Sequence, residues 1–490
     1  MITLRKVASI ALLFTMLFVS VVMTSFGLES SNVISSIGLI RYSDPLRADV
    51  DVNVNSTKVI GSNNFSLGTH PPETGWSNSP ALLQLTKDAN FRLIRIFSHR
   101  FQSCISWNEA TNTGTWNWAS VDSMVQKIFD VGAQPEITMM YCASNDRIRG
   151  VPTGMTIDST TKLPKPEQYA AYCRAWVKHF KDTGRAVKYY DLFNEAYIYY
   201  WHSSNPDYVR LGYYLDAFNA AYDAMHAENS QVVIGSDSAL TKPFLDYWIQ
   251  HGGKLDMLAC HKYDSDSRSW SDATVLQKAE TKYFVTTSLF DGVQDARKKW
   301  FNAHGVTLAA IINEANWGAY CSDGTDDRIQ QMAGAVWTAL MLRGCILSGV
   351  DYSIYFTFCS SKSWETANKE YGWGFGMVNL DDGQPWYPYY VHKMIGNNLA
   401  VGDQIVETTS SSNDVRSLAW LHDGKLMILI INKANQPKTI GLKGTGSQLT
   451  FFKIDGTISA ETPSVQTGVV NGKDLLTTTG YSVILLRASA

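Results

Sequence analysis

From residue 59 to about residue 398, short apolar runs alternate with longer amphipathic stretches. No other feature limits the fold as strongly, because that alternation is the pattern of repeated βα units around a parallel sheet. The strand candidates are residues 59–61, 93–97, 134–140, 187–193, 232–235, 257–260, 309–312 and 352–356. Eight such strands close a barrel. Helix candidates lie between them at 119–131, 166–183, 207–228, 242–251, 292–304 and 326–342. The first two stop at Gly132 and Gly184, and glycine is the usual residue just past a helix end. The expected architecture is α/β, a (β/α)8 TIM barrel over residues 49–398.

After residue 398 the helical period stops. Short β-rich runs appear at 417–422, 426–431, 439–442, 449–453 and 482–486, and Asp423-Gly424 sits between two of them as a hairpin turn. Residues 399–490 therefore read as an antiparallel β-sandwich, about the size usual for such a domain. Residues 48–54 alternate polar and apolar side chains and form a further strand candidate for that sandwich. Its expected role is to pack against the barrel and stabilise it; the alternative is polysaccharide binding.

The N-terminal 27 residues read as a signal peptide or an N-terminal anchor. Arg5 and Lys6 precede an apolar run from Val7 to Val22, and Thr24, Ser25 and Gly27 follow it. Residues 7–26 make a run of about 20, long enough to tether the chain to a membrane. Residues 28–48 read as a linker. On either reading the remainder is secreted or displayed at the cell surface. Seven cysteines, odd in number and widely spaced, form neither a small disulfide scaffold nor a zinc pattern; one or two disulfides are compatible with export. A net charge of −3 offers no basic surface for nucleic acid.

In a βα barrel the reactive groups stand at the C-terminal ends of the strands. The fourth strand candidate ends in Phe193-Asn194-Glu195 and the seventh in Ile312-Asn313-Glu314. One glutamate after a strand is best explained as part of a turn into the next helix. Two, on strands that face one another across the barrel mouth, fit the chemistry of glycoside hydrolysis. There, one carboxyl protonates the leaving oxygen and the other attacks the anomeric carbon, about 5–5.5 Å away in retaining enzymes. The acid partner is expected to have a raised pKa.

With these residues in view, the chain resembles the clan A glycoside hydrolases, and most of all family 39, the β-xylosidase and α-L-iduronidase family. The resemblance runs from about Phe91 to the C-terminus. It is carried by Arg95 after Leu93-Ile94; by Trp118, Asp122, Gly132 and Pro135; by Asn194-Glu195; by residues 256–260 with His261 and Tyr263; by Glu314; and by residues 374–378 with Tyr389-Tyr390. It implies Glu195 as general acid/base and Glu314 as nucleophile. It further implies Asn194 as a donor to the sugar 2-hydroxyl, Tyr263 as a hydrogen-bond donor to Glu314, Arg95 as a positive charge beside it, and His261 as a contact of the sugar or of the acid/base. Three positions depart from the family pattern: Ala196 for proline, Asn313 for threonine, and Phe356 where a strand-eight tryptophan is usual. The last bears on which sugar is bound.

Aromatic residues make up 12% of the chain, with 15 Trp and 24 Tyr. Trp317 is a candidate platform for a sugar ring, and Trp107, Tyr141, Trp201, Trp364 and Trp373 fall in comparable loops. No third ligand joins His261 and Asp264 in a metal pattern, and no glycine-rich phosphate or dinucleotide motif follows a strand; neither metal nor cofactor is expected. The expected partner is an oligo- or polysaccharide. Three activities fit these residues: an exo-acting β-xylosidase, an endo-acting xylanase or glucanase, and a carbohydrate-binding barrel without catalysis, which the presence of both glutamates disfavours.

Overall fold

The structure, a computed structural model, describes residues 48–488 apart from 145–146, 203–204, 320–325, 362–373, 447 and 457–464. The stretch expected as signal peptide or anchor (1–27), most of the expected linker, and Trp364 and Trp373 lie outside the described residues.

The first strand is β1 Val50–Ser62, and eight more frame the site: β2 Ser66–His70, β3 Leu93–Phe97, β4 Gln134–Ser144, β5 Tyr189–Asn194, β6 Val233–Ser236, β7 Met257–Ser265, β8 Ala309–Gly318 and β9 Tyr352–Phe356. Strands β2 to β9 form a closed parallel barrel. Each pairs with its neighbours in chain order, and β9 returns to β2. Sequence and structure disagree at the first strand. Residues 59–61 lie near the end of β1, which pairs antiparallel with Gln404–Ser410 in the second sheet; the barrel instead opens with β2. The physical reason lies in burial. Val59 and Ile60 are exposed, whereas Leu67, Gly68, Thr69 and His70 are buried. A run interrupted by glycine, threonine and histidine hides its strand character, although the barrel wall needs it there. Gly68 and Gly235 are small because the barrel interior is crowded: a Cβ on Gly68 would meet Ile354 Cγ1 at 2.7 Å, and one on Gly235 would meet Met257 Cγ at 2.3 Å.

Outside the strands run the helices Ala119–Asp130, Pro166–Asp182, Tyr208–Glu228, Lys242–Gln250 and Val293–His304. Their ends follow the local signals. Gly132 and Gly184 take φ of 85° and 71° just past the first two, and the Asp207 carboxylate accepts the N–H groups of Val209 and Arg210. The expected helix at 326–342 differs. A short 3-10 turn, Asp327–Gln330, breaks at Gln331, and Met332–Leu347 follows as a helix buried on nearly every side. Its lack of a polar face follows from its position between barrel and second sheet, against which Arg343 donates to the Ser417 carbonyl.

The second sheet has nine strands, mostly antiparallel, including β1. In Lys425–Asn432, Ile428 and Ile430 belong to the interior of this domain, while Met427, Leu429 and Ile431 join the core shared with the barrel. Both faces are buried, hence the unbroken apolar run. The barrel-facing side is pinned by ion pairs from Arg416 and Lys433 to Glu280 and by Tyr481 Oη donating to Asp272 at 3.0 Å.

Candidate active site

The lower interior of the barrel is an apolar layer of Leu93, Met257, Ile311 and Ile354. One step further along the same strands, the interior becomes ionic. Arg95, fully buried, donates through Nη1 to Glu314 Oε1 at 2.5 Å and through Nη2 to Asp191 Oδ2 at 2.9 Å and Asn194 Oδ1 at 2.6 Å. Its Nε lies 3.7 Å from Glu136 Oε1. Burial works against this guanidinium, but Glu314, Asp191, Glu136 and Asp237 outweigh it and hold Arg95 charged. Burial also pushes Glu136 up to about 8 despite Arg95.

The register between β7 and β8 slips by one residue. Cys260 pairs with Ile312, yet His261 pairs with Glu314. The bulge leaves Asn313 unpaired, its amide donating to Glu136 at 3.3 Å, and brings Glu314 beside His261. Bulges of this kind re-aim side chains next to active sites. Tyr263, two residues past His261, donates to Glu314 Oε2 at 2.7 Å. Burial, then Glu314, keep its phenol protonated.

Glu195 follows β5 with φ 55°, a left-handed conformation uncommon outside glycine. Asp237, just past β6, accepts the Glu195 backbone N–H and so holds that turn. Tyr197 and Tyr141 approach the Glu195 carboxylate at 3.2 and 3.4 Å. His261 stands between the acids: Nδ1 is 3.3 Å from Glu314 Oε2 and 3.5 Å from Glu195 Oε1, and Nε2 is 3.4 Å from Asp237 Oδ2. Burial opposes its charge, but Glu314, Asp237 and Glu195 raise its pKa to about 9. Asp237 rises to about 7, chiefly through burial. Glu195 departs from the expected acid. Burial would raise it, but the His261 imidazolium brings it below the ordinary carboxylate value. The two groups shift in opposite directions, His261 up and Glu195 down, which favours a charged imidazole beside a charged carboxylate.

Glu195, His261 and Glu314 each present a ligand atom, and these atoms lie within 4.8 Å of one another. Such a triangle has the size of a cation site, with the His261 imidazole at one corner and the two carboxylates at the others. Asp264, the other residue weighed as a ligand, is taken up by Lys262 Nζ at 2.9 Å and Trp337 Nε1 at 2.8 Å.

Above these groups opens a cavity of about 340 Å³ whose lining includes Asn194, Glu195, Tyr263, Glu314 and Phe356. No family model and no curated protein match the sequence. Solved structures do. A monomeric beta-xylosidase from Caulobacter crescentus CB15 has a TM-score of 0.61 at 13% identity, over 89% of this chain and 99% of that one. The GH39 enzyme from Xanthomonas axonopodis pv. citri has a TM-score of 0.62 at 13% identity, over 92% and 99%. A GH30 endoxylanase from Clostridium papyrosolvens C71 has a TM-score of 0.58 at 15% identity, over 90% and 100%. The chain has the fold of these barrel glycosidases.

Within that fold, Arg95, Asn194, Glu195, His261, Tyr263, Glu314 and Phe356 are brought together at one end of the barrel. Asn194 Oδ1 is committed to Arg95, so its amide NH2 is the group left for a ligand. Phe356 lines the cavity, edge-on to Phe375 at 5.5 Å. Trp317 is the exception. It is fully buried with the Arg328 guanidinium over its ring at 5.3 Å, and it does not line the cavity. The β8 strand continues to Gly318, so a residue expected in an open loop is part of the barrel wall. Trp107 is likewise buried, against Tyr172, and Trp201 lies off the cavity, whereas Tyr141 lines it. Sequence reasoning missed Glu136, Asp191 and Asp237. Each carried a signal: a carboxylate flanked by apolar or aromatic residues within Gln134–Ser144 and Tyr189–Asn194, and an acid just past β6. It also missed His99, Arg100 and Arg149, whose position depends on loop packing.

Proposed function

We propose that this chain is a retaining O-glycoside hydrolase acting on β-linked glycans, β-xylosidase-like in its chemistry, and that it works outside the cytoplasm. The separation of the two carboxylates carries the reading. Oxygens of Glu195 and Glu314 lie within 4.8 Å of each other. Retaining enzymes hold the pair about 5–5.5 Å apart, whereas inverting ones need about 6.5–9.5 Å to admit a water.

The roles follow from the hydrogen bonds. Glu314 is the nucleophile: Arg95 holds Oε1 and Tyr263 holds Oε2, so when one oxygen attacks the anomeric carbon the other keeps its donor, and the carboxylate does not rotate. Glu195 is the acid/base. Its proton starts on His261 Nδ1, 3.5 Å from Glu195 Oε1. A sugar that displaces water from the pocket strengthens the burial effect on Glu195 and draws the proton across. Glu195 then protonates the departing oxygen and afterwards deprotonates the incoming water. The Asn194 amide donates to the 2-hydroxyl, a contact that tightens as positive charge develops on the ring.

The test is Glu314→Gly assayed on an aryl β-glycoside with azide. The variant is expected to lose at least ~10³-fold in turnover, and azide is expected to restore activity by forming an α-glycosyl azide. A variant that turned over at the wild-type rate would remove Glu314 from the role. Proton NMR of the first product anomer tests retention separately: a β-configured first product supports it, an α-configured one overturns it.

A further inference from the structure

Successive side chains of a strand point to opposite faces, so the strand that brings His261 and Tyr263 to the cavity sends Lys262 and Asp264 the other way. Both are fully buried. Lys262 Nζ donates to Asp264 Oδ1 at 2.9 Å and to the backbone carbonyls of Lys278 and Lys282 at 3.0 and 3.1 Å. These carbonyls stand at the C-terminal end of the helix Asp272–Thr281, where a cation is favoured. The second oxygen of Asp264 accepts Trp337 Nε1 from the helix Met332–Leu347 at 2.8 Å. An ion pair behind β7 thus fixes where the helix Asp272–Thr281 ends.

That helix end reaches back to the site. Lys282, the first residue past it, donates through Nζ to the Tyr263 carbonyl at 2.6 Å. Its ammonium lies over the rings of Tyr283 and Phe290 at 5.5 and 5.9 Å, and among the described residues it makes no ion pair. The sheet explains why this carbonyl takes a donor from outside. β6 pairs with β7 only at Met257 and Leu258, and a single further bridge joins Ser238 to Cys260. Past Cys260, β7 keeps a strand on its β8 side alone, up to Ser265 beside Gly318. A carbonyl left unpaired in such a place is costly, and a segment held along one edge is free to shift. Tyr263 tolerates little shift, because its phenol holds Glu314 Oε2 at 2.7 Å. A displacement of about 0.5 Å would take that contact past the range of a good O–H···O hydrogen bond.

We propose that Lys282 is a positioning residue: its ammonium, placed by the Lys262–Asp264 pair, fixes the backbone of Tyr263 and through it the hydrogen bond that orients Glu314. The effect on rate rests on the reading of Glu314 as nucleophile; the effect on the Tyr263 hydrogen bond does not. The test uses the full-length protein as wild type, Lys282→Met, Lys282→Arg, Tyr263→Phe and the double variant Lys282→Met/Tyr263→Phe. Tyrosine labelled with 13C at Cζ reports the phenol, and the Tyr263 resonance is the one lost in Tyr263→Phe. Lys282→Met is expected to move that resonance and to lower kcat on an aryl β-xyloside about tenfold, with KM unchanged, as loss of one alignment in the transition state would do. Lys282→Arg, which keeps a charged donor, is expected to restore both. In the Tyr263→Phe background, Lys282→Met should cost nothing further, because the two residues act in series. An unmoved resonance in Lys282→Met, or the same tenfold cost in the Tyr263→Phe background, would overturn the proposal. Should Lys282→Met not fold, Lys282→Gln carries the same comparison. Full turnover by Glu314→Gln would instead overturn the catalytic assignment, and the resonance would still report whether Lys282 holds Tyr263 against Glu314.

Discussion

The lower and upper interiors of the barrel are built by the same strands, yet they obey different rules. Below, Leu93, Met257, Ile311 and Ile354 fill the space with hydrocarbon. Above, two residues past Leu93 on the same strand, Arg95 draws Glu136, Asp191 and Glu314 around one guanidinium. Burying apolar groups stabilises a fold wherever the pieces fit. Burying charges is favourable only while every charge keeps its partner, and even then it contributes little net stability. The lower layer therefore holds the barrel together, and the upper layer fixes the geometry of groups that act on a ligand.

That contrast can be broken in four places. The largest effect is expected from Glu314→Gln: a loss of at least ~10³-fold in turnover with a melting temperature equal to or above that of the wild type, read by calorimetric scanning. A large fall in stability would show that Glu314 is part of the scaffold. Arg95→Met comes next, because it leaves Glu136, Asp191 and Glu314 buried without their shared cation. It should cost about 3–5 kcal/mol of stability and abolish turnover together, as denaturant unfolding and initial rates would show. In the lower layer, Ile354→Ala should cost about 2–5 kcal/mol while the folded fraction keeps its kcat. If kcat fell tenfold while kcat/KM for a small substrate fell equally, the two layers would not be separable.

The smallest effect is a dependence of stability on pH. The folded pKa values of Asp237, Glu136 and His261 are raised to about 7, 8 and 9. Each group holds a proton in the folded state that the unfolded chain has released, so each contributes stability that is lost as pH climbs through its folded value. His99 and His392 are lowered to about 4 and work the other way, adding stability between about pH 4 and their ordinary value. Above about pH 6.5 the two lowered histidines no longer add stability, and the loss of protons from the raised groups should make the melting temperature fall from pH 6.5 to pH 9. A melting temperature that rose over that interval would contradict the proposed proton on His261.

The glutamates were legible because they stand at strand ends after apolar runs, and strand ends in a barrel converge whatever lies between them in the chain. Strands 93–97 and 352–356 were legible to the residue, since every side chain in them but Arg95 and Ser353 is apolar or aromatic. The first barrel strand was not, because Gly68 and His70 serve the barrel without looking like strand residues. Nor was the burial of Trp317: an indole three residues past a glutamate at a strand end reads as a loop, and only the length of β8 makes it wall.

The order of the residues alone decided the kind of molecule: a repeated βα unit, a β-rich tail, and two acids at strand ends, because local period and composition are carried by neighbours in the chain. Tertiary packing alone decided which groups meet. The one-residue slip at Asn313, the meeting of Glu195, His261 and Glu314, and the place of Arg149 in the cavity wall depend on contacts between segments tens to hundreds of residues apart. Electrostatic energies vary with distance and burial, and neither is written in a local run of sequence.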